Sequence, residues 1–596
     1  MRSTGTRLLF AAVLVATLAA FLVTQRLKGS FPLVIRFAAN PAVFSPNGDG
    51  FRDETTVGFD LTRDARVSFW LIDAEGREVR RLMAERRLRG DIRYRFRWDG
   101  RDDRGHIVPD GIYRLRLIAR DEGRVIDSLK EIRVDTKPPA VRIVSARPAV
   151  VAPGNAVTVR YAGPANRAPE FYVFRTDARH AVLVARFRGH GRAGVWDGLI
   201  AGRPAPPGTY AFAVRVRDRA GNQAFAPARV PSPASARPGT GVTVTAIAVS
   251  GPTTAVSAGA RVGLRIAPAD GRRYRFALYR VGSRRPVLRG RARASSLRFR
   301  LPRSLPSGVY LLRARRGRAA AGWPLVVRSQ ALPRFGPRLL VVVPVTSWQA
   351  ANPADSDANG FPEVIGRRGG VVALNRPYAA APRLMHELRE VAALLSLLRR
   401  SAIGFELATD LDLEAGRWLA GGAPSAAVGP GVLVAGALPF AGAKTARALL
   451  RHVEAGGRLA LLGVDSLHRR CRIAGPLLRC GARRAVDLFG IAAEIVKVPT
   501  APFAVRSDGI RLFGTGERLF GLFARAEVIR ATPRGARLLA AAGPPPDLLA
   551  FTAYRLGRGL VIRVGTPEWL SRLEPTAFDR QVPRITARVA RLVAGG

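Results

Sequence analysis

The sequence predicts a multidomain chain: an amino-terminal transmembrane or signal helix, three β-sandwiches in series, and a carboxy-terminal α/β domain with a mostly parallel sheet. Three observations lead there. A sixteen-residue apolar run, residues 8–23, is flanked by basic residues on both sides. A Pro/Gly turn followed by tyrosine then recurs at intervals of 97 and 100 positions. From Leu339 onward, short β-branched runs alternate with stretches whose apolar residues repeat at helical spacing.

Length and charge bound the reading. At 596 residues the chain holds three to five units, at about 100 to 200 residues per domain. Its 96 Lys+Arg against 44 Asp+Glu give +52, and only Lys28, Lys130, Lys137, Lys444 and Lys497 are lysines. Such an arginine excess reads as coding bias with solvated surfaces, or as attraction to anionic lipid or an acidic cell-wall polymer. Nucleic acid is not expected, because no basic cluster is interleaved with aromatics and the amino terminus argues for export.

That export segment is residues 1–30. Arg2 and Arg7 precede the apolar run, and Arg26 and Lys28 follow it. Sixteen residues lie just under the roughly 17 to 25 that span a bilayer, so a signal anchor and a cleaved signal peptide are both open. The anchor is expected, because more apolar residues follow the small Ala16, Ala19 and Ala20. It places the rest of the chain outside the cytoplasm, held at the cell membrane; cleavage would make the protein secreted.

The sandwiches are expected over residues 31–137, 138–232 and 242–328, with a Pro/Ser/Ala/Gly linker from Pro231 to Gly241. Trp98-Asp99-Gly100 precedes Pro109-Asp110-Gly111-Ile112-Tyr113; Trp196-Asp197-Gly198 precedes Pro207-Gly208-Thr209-Tyr210; Pro306-Ser307-Gly308-Val309-Tyr310 closes a third copy without its tryptophan. A period near one hundred residues is that of an immunoglobulin-like sandwich, and Tyr113-Arg114-Leu115-Arg116-Leu117 alternates as a half-buried strand should. The first unit opens with Phe44-Ser45-Pro46-Asn47-Gly48-Asp49-Gly50-Phe51-Arg52-Asp53-Glu54, which resembles the entry motif of bacterial surface Ig-like domains related to the one in the flagellar hook-capping protein. Asn47, Asp49 and Asp53 offer hard oxygens around two glycines, suited to a calcium staple or to a metal-free Asx turn.

The last unit, residues 338–596, begins with the strand Leu339-Leu340-Val341-Val342-Val343 and continues with strands at Ile403 to Ala408, Gly431 to Ala435, Arg458 to Leu462 and Leu560 to Val564. Polar residues gather after these strands: Thr346, Asp410, Asp465, Ser466 and Glu568. Open α/β sheets bind ligands at that end. An acidic loop, Asp355, Asp357, Asn359 and Glu363 around Gly360, follows the ligand order of a calcium loop as far as the ninth place, but the twelfth is Gly366. Cys471 and Cys480 bracket Gly475-Pro476 and suit a small disulfide loop in an oxidising compartment.

Pro344-Val345-Thr346-Ser347-Trp348-Gln349-Ala350-Ala351-Asn352, Arg376-Pro377, Thr409-Asp410-Leu411-Asp412-Leu413 and Gly456-Gly457-Arg458 leading to Gly463-Val464-Asp465-Ser466 together resemble the carboxy-terminal domain of the N,N-dimethylformamidase large (beta) subunit family. The resemblance implies a class I glutamine-amidotransferase-like fold and hydrolysis of carbon–nitrogen bonds, with iron held by tyrosine and glutamate. Departures weaken the catalytic part. Ala351 stands where the family tends to place a tyrosine, leaving Tyr378 and Glu568 as oxygen donors, and the strand-end turn carries Asp465-Ser466 with no cysteine. Iron is therefore not expected, and calcium is the cofactor the sequence suggests. The expectation is a membrane-anchored surface protein presenting a non-catalytic domain on an Ig-like stalk. The alternative is an amide hydrolase using Asp465, Ser466, Asp410 and Glu568.

Overall fold

The computed structural model describes residues 4–30, 32–330, 339–379, 381–418, 431–514, 518–574 and 580–595; Arg2 and Arg338 lie outside them. The first helix, Thr4–Ser30, leaves every large apolar side chain described between Leu8 and Val23 exposed. Among the described residues, no helix is long and apolar enough to cross a membrane.

Three sandwiches of one plan follow. In the first, Val34–Asn40, Thr55–Leu61 and Arg93–Trp98 form one sheet, and Val43–Phe44, Ile132–Val134, Gly111–Ala119, Ala65–Ile72 and Glu78–Leu88 form the other. The tyrosine period has a local cause. Tyr113, Tyr210 and Tyr310 are buried, and each hydroxyl donates to the carbonyl four residues back, at Pro109 (2.8 Å), Pro206 (2.7 Å) and Pro306 (2.9 Å). In the third copy Trp323, from the neighbouring strand Ala319–Arg328, is the buried tryptophan, and its indole donates to Pro252.

The proline-rich segment that reads as a linker is a loop within the second sandwich. It leads to Gly241–Val244, which pairs antiparallel with Gly208–Arg217 and parallel with Val150–Val151. A four-residue strand beyond eleven loop-forming residues carries too little pattern to be assigned to the sheet it closes.

The carboxy-terminal sheet corrects the expected fold class. It has nine strands and is mixed, in the order Phe405–Thr409, Leu339–Val343, Gly431–Val434, Arg458–Leu461, Gly559–Val564, Phe551–Leu556, Arg537–Gly543, Ala492–Asp508, Leu519–Ala531. The first five are parallel. The rest is an antiparallel extension, so the sheet is not mostly parallel. Only the parallel half needs crossover helices, which is why only that half alternates strand with helix. Leu339–Val343 is buried on both faces: Leu339, Val341 and Val343 join the core under Ala381–Arg400 and Gln581–Ala594, while Leu340 and Val342 meet Ala443–Glu454. Val309, Leu311 and Val326 of the third sandwich belong to the first of these cores, so apolar packing continues between the two units.

Candidate functional site

The carboxyl ends of the parallel strands carry the nominated side chains, and each is held by its own surroundings. Asp410 follows Phe405–Thr409 and is fully buried; its carboxylate accepts from the Val345 amide (3.0 Å), the Thr346 amide (3.2 Å) and the Thr346 hydroxyl. Burial pushes its pKa up to about 7 against those bonds. Ser466 donates to the Gly463 carbonyl (2.8 Å) and accepts from the Leu438 amide (3.0 Å), which ties two strand-end turns together. Glu568 accepts from the Ala524 amide (2.9 Å) and pairs with Arg525 (3.4 Å), pinning Leu519–Ala531. Each of Asp410, Ser466 and Glu568 is thus bonded to its own neighbours.

Asp465 is different. It sits at φ +58 on the turn after Arg458–Leu461 and gathers partners that its sequence neighbours do not reveal. Its amide donates to Glu527 (2.7 Å) and its carboxylate accepts from Arg483. His468 Nε2 lies 3.8 Å from the same Glu527, and its Nδ1 is 3.2 Å from the Arg484 carbonyl. Ligand atoms of Asp465, His468 and Glu527 all lie within 4.8 Å of one another. Behind them Arg563 bridges Glu527 (3.2 Å) and Asp487. Burial opposes the Arg563 charge, yet the two carboxylates hold its pKa above the ordinary value. Burial and then Arg483 lower that of His468. His468 is not among the residues the sequence nominates. Glu527, sixty-two residues on in an antiparallel strand, carries no local signal.

The acidic loop lies elsewhere. Asp355 accepts from the Gly360 amide (2.9 Å) and the Asn359 amide (3.2 Å), Asp357 from the Asn359 amide (2.9 Å), and Asn359 from the Phe361 amide (2.8 Å). Glu363 accepts from Ser356 and pairs with the buried Arg376 (3.3 Å). Arg376 also donates to the Ala354 and Gln349 carbonyls, both at 2.7 Å. Carboxylate atoms of Asp355, Asp357 and Glu363 lie within 4.8 Å, so the set has a cation's dimensions, with the Arg376 guanidinium already beside it. Burial first, then Glu363 and Asp357, push Asp355 up to about 7.

This loop also latches the second sandwich. Gly239 and Gly241 amides donate to the Asp357 (2.8 Å) and Ala358 (2.7 Å) carbonyls, and the Thr176 hydroxyl donates to Gly360. The first acidic loop behaves alike. Asp53 accepts from the Gly48 and Gly50 amides (both 2.7 Å), and the Asp49 amide donates to Asn47 (3.0 Å). Asn47 and Ser45 bond Asn222 of the second sandwich, while Arg167 and Arg217 cover Phe51 at 4.6 and 4.5 Å.

Cys471 and Cys480 are disulfide-bonded across the hairpin Cys471–Ala474 and Leu477–Cys480, as expected. Tyr378 packs its ring 5.4 Å from Trp323, and burial raises its pKa. It joins the third sandwich to the last domain, a packing role. Beside it opens a cleft of about 960 Å³ between the second and third sandwiches and the last domain, lined by Asp177, Tyr279, Arg313, Asp355, Tyr378 and Arg389. None of Asp410, Asp465, Ser466 or Glu568 lines it.

Fold and motifs define the class: Ig-like sandwiches joined to a mixed-sheet domain. Residues 46–123 match the FlgD Ig-like domain family, and residues 292–490 match the family described as N,N-dimethylformamidase beta subunit-like, C-terminal. Neither match extends to a glutamine-amidotransferase fold. No curated protein matches the chain. Among solved structures, the human OSCAR ligand-binding domain is 20% identical over 32% of this chain and 92% of its own, with a TM-score of 0.19. Fibronectin(III)-like modules of Clostridium thermocellum CbhA are 12% identical over 35% and 93%, with a TM-score of 0.18. Likenesses at such scores carry no functional argument.

Proposed function

We propose that this is a membrane-held extracytoplasmic protein whose carboxy-terminal domain holds a ligand at the cell surface without turning it over. One observation carries the reading: Asp410, Ser466 and Glu568, three of the four residues nominated for hydrolysis, are committed to hydrogen bonds that fasten their own strands and turns. The cleft of about 960 Å³ between the sandwiches and the last domain lies away from all four. An exposed apolar helix and a disulfide support placement outside the cytoplasm, since an exposed apolar run needs a lipid neighbour and a disulfide an oxidising compartment. Full-length protein should pellet with membranes through a carbonate wash and show no turnover of a panel of simple amides and formamides above buffer. Turnover abolished by Asp465→Asn would overturn the non-catalytic reading, and release by carbonate would remove the anchor.

A second reading, hydrolysis of carbon–nitrogen bonds, draws on the match over residues 292–490 and on the Asp465, His468 and Glu527 group. Elemental analysis of purified protein separates the two, because stoichiometric iron favours the hydrolase.

A further inference from the structure

The net charge of this chain is not evenly placed. Between residues 246 and 328 stand nineteen arginines, no lysine and a single acid, Asp270. The first sandwich, residues 31–137, has the same plan, with twenty-two basic residues against nineteen acidic ones. Coding bias towards arginine acts on both, so it does not explain why one sandwich lost its acids.

Structure places the excess. On the outer face of the third sandwich, Arg275 of Tyr274–Arg280 stands directly opposite Arg315 of Gly308–Arg316 on one side and Arg291 of Pro286–Ala292 on the other. One pair further along, Ala277 is flanked by Arg313 and Arg289. All five arginines are exposed. Like charges directly opposed across a sheet are unfavourable; the first sandwich has one such pair, Arg66 opposite Arg87, but matches other arginines with acids, Arg116 with Asp127 (2.7 Å), Arg93 with Asp60 (2.9 Å) and Arg63 with Glu122 (2.8 Å). Here Asp270 is taken by Arg316 at 2.7 Å, and the five are left without an ion pair among the described residues.

The surface is also concave. Arg275, Arg289, Arg291, Arg313 and Arg315 line a groove of about 630 Å³, and Arg273, Arg275, Arg291, Arg293 and Arg315 line a second of about 950 Å³ beside it. Arg313 continues the first into the inter-domain cleft, where Arg280 and Arg284 join it.

We propose that this arginine face binds a linear polyanion of repeating phosphate groups, laid along the grooves towards the inter-domain cleft. Guanidinium groups bind phosphate bidentately, and every basic residue of this sandwich is an arginine, as are most in the chain. Grooves suit a strand of anions better than a planar bilayer. Tyr274, Phe276 and Tyr279 are the aromatic residues that line the two grooves and none is exposed, so among the described residues single-stranded nucleic acid finds no open stacking platform there. The inference goes beyond the display reading and does not need the anchor or the absence of turnover.

The test uses the full chain in detergent, with long-chain inorganic polyphosphate as probe and a salt series as readout. Arg275→Ala/Arg291→Ala/Arg315→Ala should reduce the slope of log K against log salt by about 2, at about 0.7 per lost phosphate contact. Arg66→Ala/Arg86→Ala/Arg95→Ala, on exposed first-sandwich positions, should leave it unchanged. Polyphosphate should raise the melting temperature of wild type and not of the first triple variant, a readout that also detects misfolding. Equal losses in both triples would overturn the proposal, because binding would then follow net charge alone. So would binding to phosphatidylglycerol vesicles or single-stranded DNA with the same arginine dependence in the absence of polyphosphate binding.

Discussion

Replacing Gly360 by alanine should unlatch the last domain from the second sandwich. Gly360 has φ +87, and a Cβ there would stand 2.4 Å from the Tyr210 carbonyl oxygen and 2.8 Å from its carbon. Both are backbone atoms, so no side chain can turn aside. Left-handed backbone with a Cβ costs about 1 to 2 kcal/mol. The loop can escape the clash only by lifting, which breaks the Gly239 and Gly241 amide bonds to Asp357 and Ala358 at about 1 kcal/mol each. Those bonds are lost on opening in wild type as well, so the shift in latch opening is the strain with the clash added, at least about 1 to 2 kcal/mol or about one power of ten. Amide hydrogen exchange reads this directly: the Gly239 and Gly241 amides should lose protection by about tenfold or more, while the Tyr113 region of the first sandwich keeps its own. Unchanged protection at the two glycines would refute the latch and the argument from close approach.

Three further outcomes follow from the same structure. Asp355 and Asp410 each have a pKa raised to about 7, so the folded state binds protons the unfolded chain releases near pH 4. Their contribution is full below about pH 4 and lost as pH rises through about 7, so Asp410→Asn should flatten the fall in melting temperature between pH 5 and 8. Cys471→Ser/Cys480→Ser opens a loop with a sequence separation of 9, worth about 2 to 3 kcal/mol in the chain-entropy account; a denaturant midpoint unmoved by the double change would contradict it. If calcium occupies the Asp355, Asp357 and Glu363 loop, calorimetric titration should show a weak site that Asp355→Ala removes, and identical isotherms would leave those carboxylates to Arg376, the cation paired with Glu363 among the described residues.

The sequence alone determined what is local. Each Pro-to-Tyr repeat encodes a bond spanning four residues, so three sandwiches could be counted from their tyrosines. The disulfide joins residues directly paired in one hairpin, and Leu339–Val343 is apolar throughout because helices cover both its faces. Tertiary structure decided the rest, because the contacts concerned join distant segments. The antiparallel half of the last sheet was illegible: Ala492–Asp508 contains Pro499 and Pro502 and pairs with bulges, so its half-exposed residues do not alternate. Glu527 reaches Asp465 only once that half has folded back beside the parallel one. Asp355 and Asn47 supplied acidic loops that read as calcium ligands. Their oxygens bond backbone amides two to five positions away, which a window of sequence can contain; what it cannot contain is the docking of both loops on the second sandwich, through Asn222, Gly239 and Gly241 more than a hundred positions away, with Gly360 in close approach to Tyr210.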